Sequence, residues 1–444
     1  MSRIEISIIG AGLSGLTCAY RLQQKGYQIS IYEALNRSGG RVLTHFSRNS
    51  HEELGGKFLN DGGDAHYTTA LVQELGLGID FKEIPFTKNY VYKGKFLPFN
   101  SLLKTLPPAN EKTYQQLKKI ASSSQNLREI FDQFFKEQPL IIHFFELLMR
   151  GYEGSSSSAL SVKYLDLFWS FYKRDLENLS LEKQGIQPTF TVNTVKGGNS
   201  QLVYALQKTM SDCIYHRMPL KKIKKQMSGK LLLQFENGQE KITDYLILTI
   251  PVPLLKEIAI DEDLLPFDGR KIFNHLPFGS NSKILIPISS LAPVTPEFGY
   301  TEDAIAWFNA DYSLMTLYFG GEVAQFSDDP ASIQRIYLQE LSTLKLLYPQ
   351  ILFPSEQEVI GISWPKQPYF KGSYSNYGLE LFDFLHEVIF IHDIPIKKIF
   401  APLENSVFFA GEATAIDFPS TMEGAIESAE HISRLVQKVI EAKF

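Results

Sequence analysis

"IEISIIGAGLSGLTCAYRLQQKGYQISIYE", residues 4–33, decides how the chain is to be read. "IEISIIG" has the short, continuously apolar character of a buried strand. "LSGLTCAYRLQQKG" carries helical spacing and stops at Gly26, and "YQISIYE" is a second strand. Strand, helix and strand in about thirty residues form a βαβ unit, hence a parallel sheet. The glycines fall where the turn needs them. Gly10 permits the tight turn, Gly12 lets backbone approach a pyrophosphate, and Gly15 allows the helix to pack on the strand. The helix start between them, with Leu13 and Ser14, faces the anion. Glu33 ends the second strand 23 positions after Gly10. A carboxylate there accepts hydrogen bonds from an adenosine ribose and repels a 2′-phosphate, which disfavours NADP. The pattern leaves NAD and FAD both open.

Working outward, 444 residues are too many for one ordinary core and point to two or three domains. With 44% hydrophobic and 21% charged residues the composition is that of a globular protein, and a net charge of −5 gives no general reason to expect nucleic acid or a membrane surface as partner. Cys18 and Cys213 are the only cysteines and lack metal-ligand spacing, so neither a disulfide framework nor a metal site is expected. The N-terminus has no signal-peptide pattern, and "DYLILTIPVPLL" is broken by Pro251 and Pro253 well short of a membrane span. A cytoplasmic protein with no membrane partner is the expectation.

Further along, "DAHYTTALVQELGL" predicts a helix and "NYVYKGKFL" a hairpin turning at Lys93 and Gly94. Residues 110–182 are mostly helical and rich in Phe and Tyr, with the serine run in "GYEGSSSSALS" read as a loop. Strands return near "CIYHRMPLKKIKKQ", "KLLLQFENGQEKI" and "DYLILTIP", with a turn at Asn237 and Gly238. Lys221, Lys222, Lys224 and Lys225 read as a solvated strand face. "KILIPI", "AIAWF" and "LMTLYF" are strands, 331–346 is helical, and a helix closes the chain.

Three further stretches bear on chemistry. "NRSGGRV" sets Arg37 and Arg41 around Gly39 and Gly40 just past Glu33, where two guanidinium groups suit phosphate oxygens. "VFFAGEAT" stops a strand at Gly411 before Glu412, and "STMEGA" opens a helix, so a second helix start offers backbone N–H groups to an anion or an electron-rich ring. Lys283, in "FGSNSKILIPI", is by composition alone a surface lysine keeping its head in water. Together "GAGLSGL", "YEALNRSGGRV", "ELGGKFL", "VKGGNSQLVYAL", "KGSYS" and "FFAGEAT…STMEGA" resemble, over nearly the whole chain, the flavin-containing amine oxidase family. That family includes monoamine oxidases, polyamine oxidases, L-amino-acid oxidases and flavin-type histone demethylases.

The resemblance implies an α/β fold: a Rossmann-like FAD-binding domain with a parallel sheet, built discontinuously from 1–80, 188–257 and 398–444. A mixed α+β substrate-binding domain, formed by insertions, takes 81–187 and 258–397 and includes a helical part. Gly10 to Gly15 would hold the pyrophosphate, Glu33 the adenosine ribose, and Arg41 the phosphate and ribityl region. Gly55, Gly56, Lys57, Phe58 and Leu59 would line the flavin ring. Leu220 would contact adenine through its backbone, and Glu412 would meet the ribityl chain. Thr421, Met422 and Glu423 would lie near the pyrimidine end of the ring. Lys283 falls where the family has a lysine holding a water against flavin N5. Of the two facing aromatic rings of monoamine oxidases, Tyr374 supplies one and Thr421 stands in place of the other. Ser373 stands where some relatives have a cysteine bonded to flavin, so noncovalent FAD is expected.

The implied activity is oxidation of a small-molecule amine: hydride passes to flavin, the imine hydrolyses, and O2 returns the flavin to its oxidised state, giving H2O2. A desaturase or protoporphyrinogen-oxidase-like enzyme on the same scaffold, and a flavin-bearing interaction protein without turnover, are the alternatives. Other readings stay open. Arg150 is a substrate-carboxylate ligand or, by preference, a helix-end arginine. Asp61 and Asp64 attract a cationic amine, or Asp64 caps the next helix, which is preferred. The long connection 375–407 reshapes the pocket entrance or elaborates the surface. The amine and the oligomeric state are not readable.

Overall fold

A computed structural model describes all residues except 1–3, 48–49, 61–62, 87, 137, 266–272, 274, 289–293, 295–296, 357, 380–381 and 444. The opening stretch folds as its pattern predicts, into strand Glu5–Ile9, helix Leu13–Gln24 and strand Gln28–Tyr32, with the two strands parallel from Glu5 opposite Gln28 to Ile9 opposite Tyr32. Three distant segments complete this sheet, whose order is Val407–Phe409, Tyr245–Leu248, Glu5–Ile9, Gln28–Tyr32 and Ile214–Tyr215, all parallel. Such a sheet must be covered on both faces. On one side, helices Leu13–Gln24 and Met422–Glu441 pack together on Ile6, Ile8 and Ile247. On the other, the strands Leu220–Lys225, Leu231–Phe235 and Glu240–Thr243 supply Ile223, Leu233 and Phe235 against Ile9 and Leu248. Gly10 has φ +104°, and a Cβ on Gly15 would sit 2.0 Å from the Gly10 carbonyl oxygen. Helix and strand can approach this closely only because neither residue has a side chain.

The second body is a seven-stranded mixed sheet in the order Ile360–Ser363, Asn281–Pro287, Leu314–Gly320, Ala304–Phe308, Phe298–Tyr300, Lys88–Tyr92 and Lys95–Pro98. Only Phe298–Tyr300 with Lys88–Tyr92 is parallel. The hairpin at Lys93 and Gly94 has positive φ at both residues, 48° and 69°, as a two-residue turn matched to strand twist requires. Helices between Phe99 and Lys183 cover one side, and their Phe131, Phe135, Phe145 and Phe168 are core. No helix among the described residues is long and apolar enough to cross a membrane.

Three readings are settled by side chains. Lys221, Lys222, Lys224 and Lys225 are exposed or half-buried along strand Leu220–Lys225, which pairs on both sides, with Lys222 paired to Asp261 and Lys225 to Glu404. Asp64 does not cap helix His66–Glu74: its side chain makes no capping bond, and the Glu423 carboxylate takes the free N–H groups of Tyr67 and Thr68 at 2.8 and 2.7 Å. Asp61 lies outside the described residues. The 375–407 connection is not simply a surface elaboration. Tyr377 reaches a central cavity, while Ile394 and Ile396 of the hairpin Val388–Ile391/Ile394–Lys397 pack into the core beneath the C-terminal helix.

Candidate active site

A cavity of about 1160 Å³ runs from the carboxyl ends of the parallel strands to the mixed sheet. That exceeds the usual volume of a single small-ligand pocket, roughly 300–1,000 Å³, and suits a long cofactor with a substrate beyond it. At one end lie Gly10, Gly12, Leu13, Ser14, Glu33 and Leu220. Helix Leu13–Gln24 opens here at Gly12 with no side-chain cap. A Cβ on Gly12 would meet nothing within 4 Å, so its backbone faces open space. Ser14 Oγ is buried without a hydrogen-bond partner among the described residues. Uncapped N–H groups, an orphaned hydroxyl and an open glycine fit a phosphate group. Glu33, 7% exposed, accepts from the N–H of Ala11 and Leu35 at 2.7 and 2.8 Å, and burial pushes its carboxyl up.

The middle of the cavity is a junction. Arg41 Nη1 donates to the Ser373 carbonyl at 2.6 Å and to Glu412 Oε1 at 2.9 Å, and Glu412 also accepts from Ser375 Oγ at 2.6 Å. One guanidinium and one carboxylate thus tie together the turn after the second strand, the "KGSYS" loop and the "AGEAT" turn. Partly buried, charge-assisted bonds of this kind are the strong ones. Gly411 and Gly40 line the cavity beside them.

Toward the mixed sheet, the stretch Glu53–Lys57 is held by its own carbonyls. Lys283 Nζ donates to the carbonyls of Glu53 at 2.9 Å and Gly55 at 2.5 Å. Trp364 Nε1 takes Leu54 at 3.1 Å, and Asn199 Nδ2 takes Gly56 and Lys57 at 3.0 and 2.7 Å. Five consecutive carbonyls are thus tied to side chains from three other segments, while Gly55, Gly56, Lys57 and Phe58 line the cavity. Lys283 is 5% exposed and its ammonium lies 5.6 Å from the Trp307 ring and 5.8 Å from that of Tyr318. It is not a surface lysine. Its strand Asn281–Pro287 pairs on both edges, and every residue from Asn281 to Ile286 is buried. Nearby, burial opposes ionisation of Glu52, but Lys57 at 2.6 Å outweighs it and holds the carboxyl below its usual range. Burial pushes the neighbouring Glu53 up.

Tyr374 lines the cavity, its hydroxyl donating to the Gly151 carbonyl at 2.9 Å and 3.0 Å from the Tyr318 hydroxyl. Thr421 lines it too, but its hydroxyl caps the C-terminal helix, accepting from Gly424 N–H at 2.9 Å and donating to Phe418 at 2.7 Å. Met422 contacts Gly56. Four expected residues stand back from the wall. Gly15 is in the helix–strand contact, Leu59 is in the core, and Glu423 caps the helix His66–Glu74. Arg37 turns onto its own loop, donating to the carbonyls of Ser38 and Gly40. Arg150 also stays off the wall, reaching the Glu302 carbonyl from the end of its helix. Trp307, Tyr318, Trp364 and Asn199 were not singled out from sequence; only Asn199, inside "VKGGNSQLVYAL", carried a signal.

A model of the "Flavin containing amine oxidoreductase" family matches residues 13–437. The chain is 21% identical to "Probable polyamine oxidase 4" of Arabidopsis thaliana, over 98% of this chain and 87% of that protein. It is 23% identical to "Amine oxidase [flavin-containing] B" of Sus scrofa, over 98% and 86%. Among solved structures, wild-type putrescine oxidase bound to putrescine superposes with a TM-score of 0.70 at 17% identity, covering 99% of each chain, and shares the fold. The α/β architecture read from the opening stretch is thereby borne out, and the cofactor that the uncapped helix, the open glycine and the orphaned hydroxyl fit is a flavin nucleotide. With the match running over nearly its whole length, the chain belongs to the flavin-containing amine oxidoreductase family and is an oxidoreductase.

Proposed function

We propose that the protein is an amine oxidase that binds FAD noncovalently and uses O2 as electron acceptor. The observation that carries this reading is Lys283: a lysine buried among Trp307, Tyr318 and the carbonyls of Glu53 and Gly55, on the wall of a cavity that begins at a dinucleotide-binding turn. Bound there, the flavin would take hydride at N5 from the carbon beside the amine nitrogen and pass the electrons to O2, giving H2O2, while the imine hydrolyses. The chain's own residues do the rest. The helix start at Gly12 and Ser14 holds the phosphates, Glu33 the adenosine ribose, and the Arg41–Glu412 pair the middle of the cofactor. Lys283, Trp364 and Asn199 hold the Glu53–Lys57 carbonyls and so fix the stretch whose Gly55–Phe58 part would border the ring system. Tyr374, Tyr318 and Trp307 exclude water and orient the amine. Lys283 Nζ holds a water at the reacting end and moves a proton through it.

Ser373 Oγ donates to Asn281 Oδ1 at 2.5 Å and offers no thiol for a bond to the cofactor. Acid denaturation should therefore release all yellow colour from the polypeptide, and retained colour would refute noncovalent binding. Anaerobic mixing with a panel of amines should bleach the flavin absorption, and air should then restore it with peroxide released. No bleaching across primary amines, diamines and amino acids would overturn the assignment.

A further inference from the structure

Beyond Lys283 the cavity continues along a run of rings. Trp307 to Phe298 is 6.4 Å between centroids, Phe298 to Phe190 5.7 Å, and Phe190 to Phe86 5.6 Å. At its end the Arg174 guanidinium lies between two rings, 5.1 Å from the Phe86 centroid and 5.0 Å from that of Phe171. Lys88 Nζ lies 4.3 Å from the same Phe86 ring. Both cations line the cavity. One carboxylate answers them: Asp175 Oδ1, 3.1 Å from Lys88 and 3.6 Å from Arg174. Asp175 is 1% exposed and stays behind the wall, whereas the Arg174 side chain keeps 38% of its surface accessible; its Nε is buried, and Tyr152 hydrogen-bonds to the guanidinium.

Two cations against one carboxylate leave a positive charge facing the far end of the pocket. Burial pushes Lys88 down to about 8, and Asp175 opposes that shift. At the near end Lys57 is neutralised by Glu52 at 2.6 Å. A second ammonium would meet like charge at the Arg174 end, whereas a guanidinium stacked between rings with part of its surface open to the cavity is suited to a carboxylate. Glu153 is the wall residue that argues the other way, since a diamine would seek it. Burial pushes its carboxyl up to about 7, and Tyr164 hydrogen-bonds to it.

We infer that the Arg174 end is a carboxylate subsite, so that the substrate is an amine with an anionic group remote from the oxidised carbon, of the ω-amino carboxylate class. This rests on the amine-oxidase reading and deepens it. The balance is R–CH2–NH3+ + O2 + H2O giving R–CHO + NH4+ + H2O2, with R ending in the carboxylate that Arg174 holds.

Two measurements on the holoenzyme test it. Calorimetric binding of hexanoate, which has no amine to oxidise, reads the subsite alone. Binding should be measurable and weakened roughly tenfold or more in Arg174→Gln, the effect of losing hydrogen bonds from a charged donor. Turnover of matched series reads the preference: γ-aminobutyrate, putrescine and n-butylamine, then δ-aminovalerate, cadaverine and n-pentylamine, then ε-aminocaproate, hexamethylenediamine and n-hexylamine. At the length that fits, the amino carboxylate should exceed the diamine in kcat/KM by about tenfold or more, and Arg174→Gln should lower its ratio to the alkylamine by a similar factor. A wild-type preference for diamines, or hexanoate binding equal in wild type and variant, would overturn the subsite. Hexanoate binding as expected with no amine oxidised would instead overturn the amine-oxidase reading and leave the subsite standing.

Discussion

Replacing Lys283 with methionine removes a buried ammonium and keeps most of the stem's volume, so its effects can be worked out in two parts. The structural part is the loss of the bonds to the carbonyls of Glu53 and Gly55. A buried carbonyl left without its donor costs about 1–3 kcal/mol. Relief from burying a charge offsets some of this, which leaves a net loss of about 2–4 kcal/mol. The Trp364 and Asn199 bonds to the adjoining carbonyls remain, and a Cβ on Gly55 would lie 1.9 Å from the Arg41 carbonyl oxygen, so the stretch is too tightly threaded to move far. Flavin content should survive. The chemical part is loss of the proton-handling group, worth about 10²–10⁴-fold in rate. Anaerobic stopped-flow reduction by amine and reoxidation by O2 measure each half-reaction, with thermal melts on the same samples reporting the structural part. Lys283→Arg separates the two: a guanidinium keeps charge and donors but does not give up its proton. It should recover stability and not rate. If Lys283→Met changes neither half-reaction by more than about twofold, or Lys283→Arg restores the rate, the lysine is an anchor only and the reasoning fails.

Three further outcomes are expected. Arg41→Ala should weaken flavin retention by roughly tenfold or more on gel filtration, because the bonds joining Ser373 and Glu412 go with it. Thr421→Ala should cost about 1 kcal/mol in chemical denaturation, as loss of an N-cap does, since that hydroxyl caps Met422–Glu441. Burial pushes Glu340 up to about 7 from 4.5, so the folded state holds a proton that the unfolded chain releases. Its stabilising contribution is full below about pH 4.5 and is lost as pH rises through 7. Glu340→Gln should therefore flatten the decline in stability over that window, and an unchanged slope would refute the assignment.

How much of this was legible in sequence depended on whether the physics was local. The turn from Ile9 through Gly15 to Glu33 was, because strand, glycines and helix start lie within one stretch and each constrains its neighbours. Lys283 was not, since a lysine at the head of an apolar strand is ordinarily a surface group. Its burial comes from strands Leu314–Gly320 and Ile360–Ser363 on either edge and from carbonyls some 230 residues away in sequence. Only the ordered set of motifs made it a candidate. Asp64 was misread for the complementary reason. It has the residue type and spacing of a cap, but Glu423, 355 residues from Thr68 in sequence, reaches the same N–H groups.

The structure also gives a physical reason why those motifs travel together. Arg41 from "GGRV", Ser373 from "KGSYS" and Glu412 from "AGEAT" meet in one hydrogen-bonded junction. Asn199 from "VKGGNS" and Lys283 from its strand hold the carbonyls of "ELGGKFL". Each motif satisfies polar groups that another leaves buried, so loss of one would strand the partners of the rest. The same argument separates the two arginines. Arg150, a candidate from sequence for a substrate carboxylate, reaches the Glu302 carbonyl at the end of helix Pro139–Glu153 and does not line the cavity. Arg174 was not considered, since on helix Leu165–Lys183 it reads as one of several exposed charges. Helical phase brings it between Phe86 and Phe171 on the cavity wall. Which arginine faces the cavity is thus fixed by the packing of the inserted helices on the mixed sheet, the part of the chain in which no motif was found.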